Sequence, residues 1–555
     1  MNHKAVVATA ATLFLALACA PAAAPQAEPG QSASPSTGPA PSEPQPKRGG
    51  VMVMLQKAVA PNLHPLLGSA ADQRATVGPA YESLLSFQTF EDRPHDADFQ
   101  VIPWLAQSWE QPNETTYVFS LQRGARWHDG QPFTAADVVF TQRFMQDPAN
   151  RISKGFSVRK DLAQVEAIDE GTVRMVTKTP SPFFLRGLAD PDLMVLPKHL
   201  FDRGDDIIKV VLGTGPFRAE SLDLSKELLY RRFDGYWQPG RPYLDGVSIK
   251  TGVDDSAQAA AFIAKQTDKI VLNSKAQLEP IVRAYPATQY RAMQPTYSNV
   301  LYPKLDRPPF NDVRVRKAIH LAIDRQAMIQ QLTFGEGVIN PPAIPGTKIG
   351  YAIPEEELLK LPGYRQPKGP DIAEAKRLLA EAGYGGGLKL TVVYPSTFFS
   401  TPPIAEAFAG QVRSIGVDMT LQGLPGPEFR TKEGDGNYDV IFTLSGNNDE
   451  AGKIHDYYHS KGAVNKIGLA DARADAALDT IRSSMDPEVR RRAVLDLQYA
   501  LLEGYYVIPT IELASYRVWQ PWLHQPRTDN LRPILDNMEA SQTWIDVALL
   551  PSDRR

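Results

Sequence analysis

Two histidines four residues apart, in the stretch His455-Asp456-Tyr457-Tyr458-His459, come nearest to a chemical constellation in this sequence. Positions i and i+4 share one face of a helix, so a helix here would aim both imidazoles at a common point, as zinc peptidases do. Such a peptidase needs glutamate where Asp456 stands, and a third ligand that the spacing does not declare. The chain has nine histidines spread thinly, and these two read more readily as solvated or cleft-lining imidazoles. A secreted metallohydrolase using His455 and His459 is kept as an alternative. Other catalytic patterns are missing: there is no Gly-x-Ser-x-Gly elbow, no phosphate loop ending in Gly-Lys-Ser/Thr, no complete dinucleotide fingerprint and no calcium-loop spacing. Gly383-Tyr384-Gly385-Gly386-Gly387 follows a helical pattern instead of opening one, which predicts a turn. No catalytic residue, metal or cofactor is assigned on these grounds, and the chain is not expected to be an enzyme.

The one remaining reactive side chain is Cys19, the only cysteine among 555 residues. It excludes an internal disulfide framework and a cysteine-rich zinc module. It follows Lys4 and an uncharged, mostly apolar run from Ala5 to Ala18, too short to span about 30 Å of hydrocarbon as a helix. Residues 1–18 therefore predict a secretory signal peptide. Leu15-Ala16-Leu17-Ala18-Cys19 resembles a bacterial lipoprotein signal, which implies cleavage before Cys19 and a lipid on its sulfur. From Ala20 to Gly50 the composition is almost entirely Ala, Pro, Ser, Gln, Glu and Gly, with prolines at 21, 25, 29, 35, 39, 41, 44 and 46. Such a stretch cannot bury enough apolar surface to offset its ordering entropy, so residues 19–50 predict a disordered tether.

The rest of the chain must fold to position anything else. It is 43% apolar and 22% charged overall, an ordinary globular balance, and its length predicts about three domains or lobes. Fifty-nine basic against sixty-three acidic side chains leave a net charge of −4, with no basic excess for a phosphate backbone; no nucleic-acid partner is expected. Strand patterns lie at Val51 to Leu55, Thr115 to Leu121, Gly416 to Leu421 and Tyr506 to Pro509. Helical patterns start from Thr134 as a cap, run from Asp312 to Asp324, Asp371 to Ala382 and Ala405 to Ile415, and extend from Asp486 to Leu502. Helix and strand mixed without strict alternation predict an α/β fold with several sheets.

Several separated stretches resemble the extracytoplasmic solute-binding proteins of ABC transporters that handle oligopeptides, dipeptides and nickel. They are Tyr81-Glu82-Ser83-Leu84-Leu85; Val101 to Glu110; Tyr117 to Val139, with Trp127-His128-Asp129-Gly130; Gly213-Thr214-Gly215-Pro216-Phe217 with Gly235-Tyr236-Trp237; and Pro308 to Ala318 with Ala322 to Arg325. Most of these residues are expected to be structural: Trp109, Trp127 and Trp237 in cores, Gly124 and Gly130 at turns, and Asp324-Arg325 as an internal ion pair or cap. The resemblance implies a two-lobed clamshell of the type II kind with an extra subdomain, enclosing a solute between the lobes. By analogy the first lobe comprises 50–76, 196–297 and 512–555, the subdomain 77–195 and the second lobe 298–511.

The resemblance also implies ligand contacts. Peptide binders of this family carry, after a turn like Gly436-Asn437-Tyr438-Asp439, an aspartate that pairs with the peptide's free amine. Here Asn447-Asn448-Asp449-Glu450 follows, so Asp449 or Glu450 is the expected anchor, and Asn447 and Asn448 suit amide or hydroxyl groups. Ser69 and Ala71 are expected to line the cleft through backbone groups. Leu63-His64-Pro65 stands where Leu-Asp-Pro is common, and Lys304 where asparagine is frequent. The expected partners are a peptide or other small solute, the permease subunits of an ABC importer and a membrane reached through the lipid. A monomer in the periplasm or at the cell surface is expected, with a metal chelate or glycoside as alternative solute.

Overall fold

The computed structural model describes residues 45–555 except 58–59, 68–69, 89–99, 153, 294–297, 344–350, 399, 437, 446–450, 463–464, 466 and 527–536. Residues 46–555 form one compact unit. Its first layer is a seven-stranded mixed sheet in the order Gln289–Met293, Ser515–Trp519, Lys269–Leu272, Val51–Leu55, Gly246–Lys250, Glu227–Arg232, Phe217–Asp223. Val-Met-Val-Met-Leu alternates, so Met52 and Met54 turn into the core with Val77, Tyr81, Phe217, Tyr230 and Val247. Val51–Leu55 lies parallel to Gly246–Lys250, and almost two hundred residues of chain separate the pair.

The second sheet has five strands in the order Val417–Leu424, Leu388–Pro395, Val440–Ser445, Ser298–Pro303, Ile508–Pro509. Neighbouring residues on its strands enter different cores. Leu301, Val392 and Phe442 pack with the helices Val313–Ala322, Gly369–Glu381 and Thr401–Val412. Val300, Val393 and Ile441 pack with Ala472–Ser483 and Pro487–Glu503. A sheet covered by helices on both faces is the layered α/β arrangement.

A third sheet is an antiparallel set, Ala106–Asn113, Thr116–Leu121, Thr172–Thr177, Leu162–Asp169, against which the helix Ala135–Gln146 packs. Asp137 reaches back to accept from the Thr134 N–H at 2.9 Å, and it also accepts from Trp127 Nε1 at 3.3 Å and Lys198 N at 3.0 Å. Trp127 is fully buried. The cap thus also anchors the tryptophan of the Trp-His-Asp-Gly stretch.

One buried carboxylate gathers the separated motifs. Glu82 accepts from Trp104 Nε1 at 2.9 Å, Tyr236 OH at 2.9 Å, Trp237 Nε1 at 3.2 Å and Thr214 Oγ1 at 2.8 Å. Gly213 and Gly215 let this happen, because a Cβ at 213 would stand 1.8 Å from the Ala80 carbonyl oxygen. Burial pushes the Glu82 carboxyl up to about 7, and the four donors pull against that rise.

Two elements differ from their sequence patterns. The expected Asp312-to-Asp324 helix ends at Ala322; Ile323 is extended, and Asp324 caps a new helix, Arg325–Thr333, accepting from Ala327 N at 2.9 Å. Arg325 is fully buried and donates to the carbonyls of Pro509 (2.6 Å) and Gly363 (2.7 Å), with its guanidinium 4.1 Å from the Tyr364 ring centre. Asp324 is therefore the cap of that pair. The Tyr506-to-Pro509 pattern contributes only Ile508–Pro509 as strand.

Candidate functional site

The chain passes between the two larger sheets twice, from Met293 to Ser298 and from Glu512 to Ser515. Both passages are braced by pairing on either side: Met293 opposite Ser515 in one sheet, Val300 opposite Pro509 in the other. Just inside the second sheet they share a buried polar cluster. Asn299 Nδ2 donates to Glu512 Oε2 at 2.7 Å and Ser400 Oγ at 3.0 Å; Thr401 Oγ1 donates to Asn299 Oδ1 at 2.9 Å, and Thr510 Oγ1 to the Asn299 carbonyl at 2.8 Å. Among the described residues no cation bonds Glu512, and burial pushes its carboxyl up to about 8.

The sheets also meet away from these passages. Lys160, on the helix Phe156–Asp161 beside the third sheet, donates to Asp456 Oδ1 at 2.6 Å on the helix Ala451–Tyr458. Arg482 Nη2 lies 3.5 Å from Asp161 Oδ1, and Arg490 sits 5.5 Å over the Phe183 ring. The two passages cross the space between the larger sheets, and these contacts tie the third sheet's layer to helices of the second.

The strand Val440–Ser445 runs to that space, for Ser445 pairs with Ser298, the first described residue after the first passage. The expected ligand residues Asn447, Asn448, Asp449 and Glu450 follow it but lie outside the described residues, as do Ser69 and Cys19. Ala71 belongs to the helix Ala70–Val77, and its side chain is outside the described set. His64 is described and is structural: it is buried, stacks on Phe144 with ring centres 5.4 Å apart, and its Nδ1 accepts from Leu66 N at 3.0 Å. That acceptor two residues back is what an aspartate oxygen supplies in an Asx turn, so histidine replaces aspartate without losing the bond. Burial first, and then the Lys154 charge, lower its pKa to about 4, so the imidazole stays neutral. Lys304 is buried with its ammonium 5.5 Å from the Tyr438 ring centre.

His455 and His459 come together as their spacing predicts. His459 N bonds the His455 carbonyl at 2.8 Å, and the rings stack with centres 4.4 Å apart. A residue that the spacing could not reveal joins them: Asp479, on the helix Ala472–Ser483, brings Oδ1 within 3.3 Å of His455 Nε2 and 3.5 Å of His459 Nε2. The available signal was Asp475 and Asp479, themselves i and i+4 in a pattern whose other face is Ala474, Ala477, Leu478 and Ile481.

Residues 100–465 match the profile of the bacterial extracellular solute-binding proteins, family 5. The chain belongs to that family. Among characterised members, the glutathione-binding protein GsiB of Salmonella typhimurium is 28% identical over 340 residues, 59% of this chain and 62% of that protein; the Escherichia coli GsiB is 27% identical over the same span. The chain thus matches about 62% of the length of these relatives. The fold is shared with the ABC transporter-associated periplasmic binding protein DppA of Helicobacter pylori, solved with the peptide STSA, at a TM-score of 0.74 and 21% identity over 90% of this chain and 99% of that one. NikA of Brucella suis, solved with Fe(III)-EDTA, gives 0.72 and 22% over 87% and 98%. The architecture is the two-lobed periplasmic-binding-protein fold of this family.

Proposed function

We propose that this family member is the solute-binding lipoprotein of an ABC importer, capturing a peptide in the interlobe cleft and presenting it to the permease without altering it. The observation that carries the reading is the pair of lobes joined by two crossing segments in a chain of this family, an arrangement in which a solute bound to both lobes favours closure. Support for a peptide comes from the glutathione-binding protein among the relatives and from the likeness to a protein solved with the peptide STSA. In this reading Asp449 or Glu450 receives the ligand's ammonium, Asn447 and Asn448 face its amides, and backbone groups at Ser69 and Ala71 complete the cleft. The first lobe is 50–76, 196–297 and 512–555, the subdomain 77–195 and the second lobe 298–511. Cys19 carries the lipid, residues 19–50 are the tether, and the mature monomer works outside the cytoplasm. A metal chelate is the second reading, favoured by the likeness to a protein solved with Fe(III)-EDTA.

Thermal-shift screening of di- to tetrapeptides, glutathione and metal chelates tests both. A ligand at 100 times its Kd adds about 2.7 kcal/mol of stability. Peptide affinity that falls at least tenfold in Asp449→Ala or Glu450→Ala supports the amine anchor. Affinity unchanged in both variants removes it.

A further inference from the structure

We infer that the second lobe carries a transition-metal site, with His455 Nε2, His459 Nε2 and Asp479 Oδ1 as ligands for a zinc-class divalent cation. One ligand atom from each of these three residues lies within 4.8 Å of the others. Around a tetrahedral ion with bonds of 2.0–2.1 Å, ligand atoms stand about 3.3 to 3.4 Å apart. Asp479 Oδ1 is 3.3 Å from one imidazole nitrogen and 3.5 Å from the other, so the two carboxylate–imidazole separations are already those of a coordination shell. Two imidazoles and one carboxylate suit zinc, nickel or copper better than calcium or magnesium, and three protein ligands leave one position for water.

Each imidazole also has a carboxylate behind it. His455 Nδ1 is 3.4 Å from Asp456 Oδ1, and His459 Nδ1 is 3.8 Å from Asp475 Oδ1. A metal-bound imidazole presents its other ring N–H to such an acceptor, which fixes the tautomer. For His459 this replaces the present bond, in which Lys461 N donates to Nδ1 at 2.9 Å, by one from Nδ1–H to Asp475. The nearby Arg482 charge is shared with Asp161, 3.5 Å away. Both histidines are buried while the Asp479 side chain is 66% exposed, so the ion would enter from the Asp479 side. The site does not depend on the solute-binding reading.

Calorimetric titration of Zn²⁺ into the tag-free chain tests it. The expected result is one ion per chain, with affinity lowered at least tenfold by Asp479→Ala and by His459→Ala, and about 10- to 100-fold by Asp475→Asn. The exposed position of Asp479 makes its variant safe for folding, and unchanged circular dichroism checks this. His199→Ala, remote in sequence and paired with Asp129 at 2.9 Å, should bind zinc as the parent does. Absent zinc binding, or binding that keeps full affinity in Asp479→Ala and His459→Ala, would overturn the site.

Discussion

Glu512 is buried where the second crossing segment leaves the second lobe, and its carboxyl holds a proton up to about pH 8. The unfolded chain releases that proton near 4.5, so between these values the native state binds more protons and stability falls as pH rises. By pH 7 the penalty approaches about 3 kcal/mol as an upper bound. Glu512→Gln keeps an acceptor for Asn299 and removes the titration. Urea unfolding at pH 5 and pH 8 should show a smaller loss of stability in the variant than in the parent; an equal loss would show that Glu512 is ionised in the native protein. Glu82 titrates in the same direction, so part of the slope persists. Neither shift was legible in the sequence. Tyr81-Glu82 reads as a motif, but its donors come from residues 104, 214, 236 and 237, which only the fold brings together.

Element by element, local patterns were read well wherever a cap or a period decided them. Thr134 starts its helix, Gly383 and Gly416 take left-handed φ values of +90° and +84° at helix ends, and Val51–Leu55 is a strand. The break at Ile323 escaped because Val313 to Asp324 keeps a helical period; the cap at Asp324 acts through a carboxylate that could equally have sat on a helix surface. Close approach was also hidden. Gly213→Ala should destabilise the protein by about 3 kcal/mol or more, since a Cβ 1.8 Å from a backbone oxygen forces the Thr214 loop off Glu82. Denaturation midpoints measure this, and a variant as stable as the parent would mean that the loop repacks at no cost.

Across the whole molecule, the α/β class, the two lobes and the family were legible because separated motifs each carry part of one fold. The contacts between lobes were not. Lys160 and Asp456 are 296 residues apart, and nothing local marks either as a partner. Lys160→Ala should weaken ligand binding about 3- to 10-fold, or about 1 kcal/mol, if this ion pair between the proposed subdomain and second lobe helps to hold the closed form. The ligand-free radius of gyration should rise in small-angle scattering; affinity and radius both unchanged would make the ion pair incidental.

Under the proposed function, a small solute is bound between the lobes and released unchanged. Calorimetry of peptides and chelates against the purified chain, with mass spectrometry of the ligand recovered afterwards, tests it most directly. The expected result is one ligand bound per chain and recovered intact, most readily a peptide. A peptide recovered cleaved, or no binding heat from any member of the panel, would contradict it.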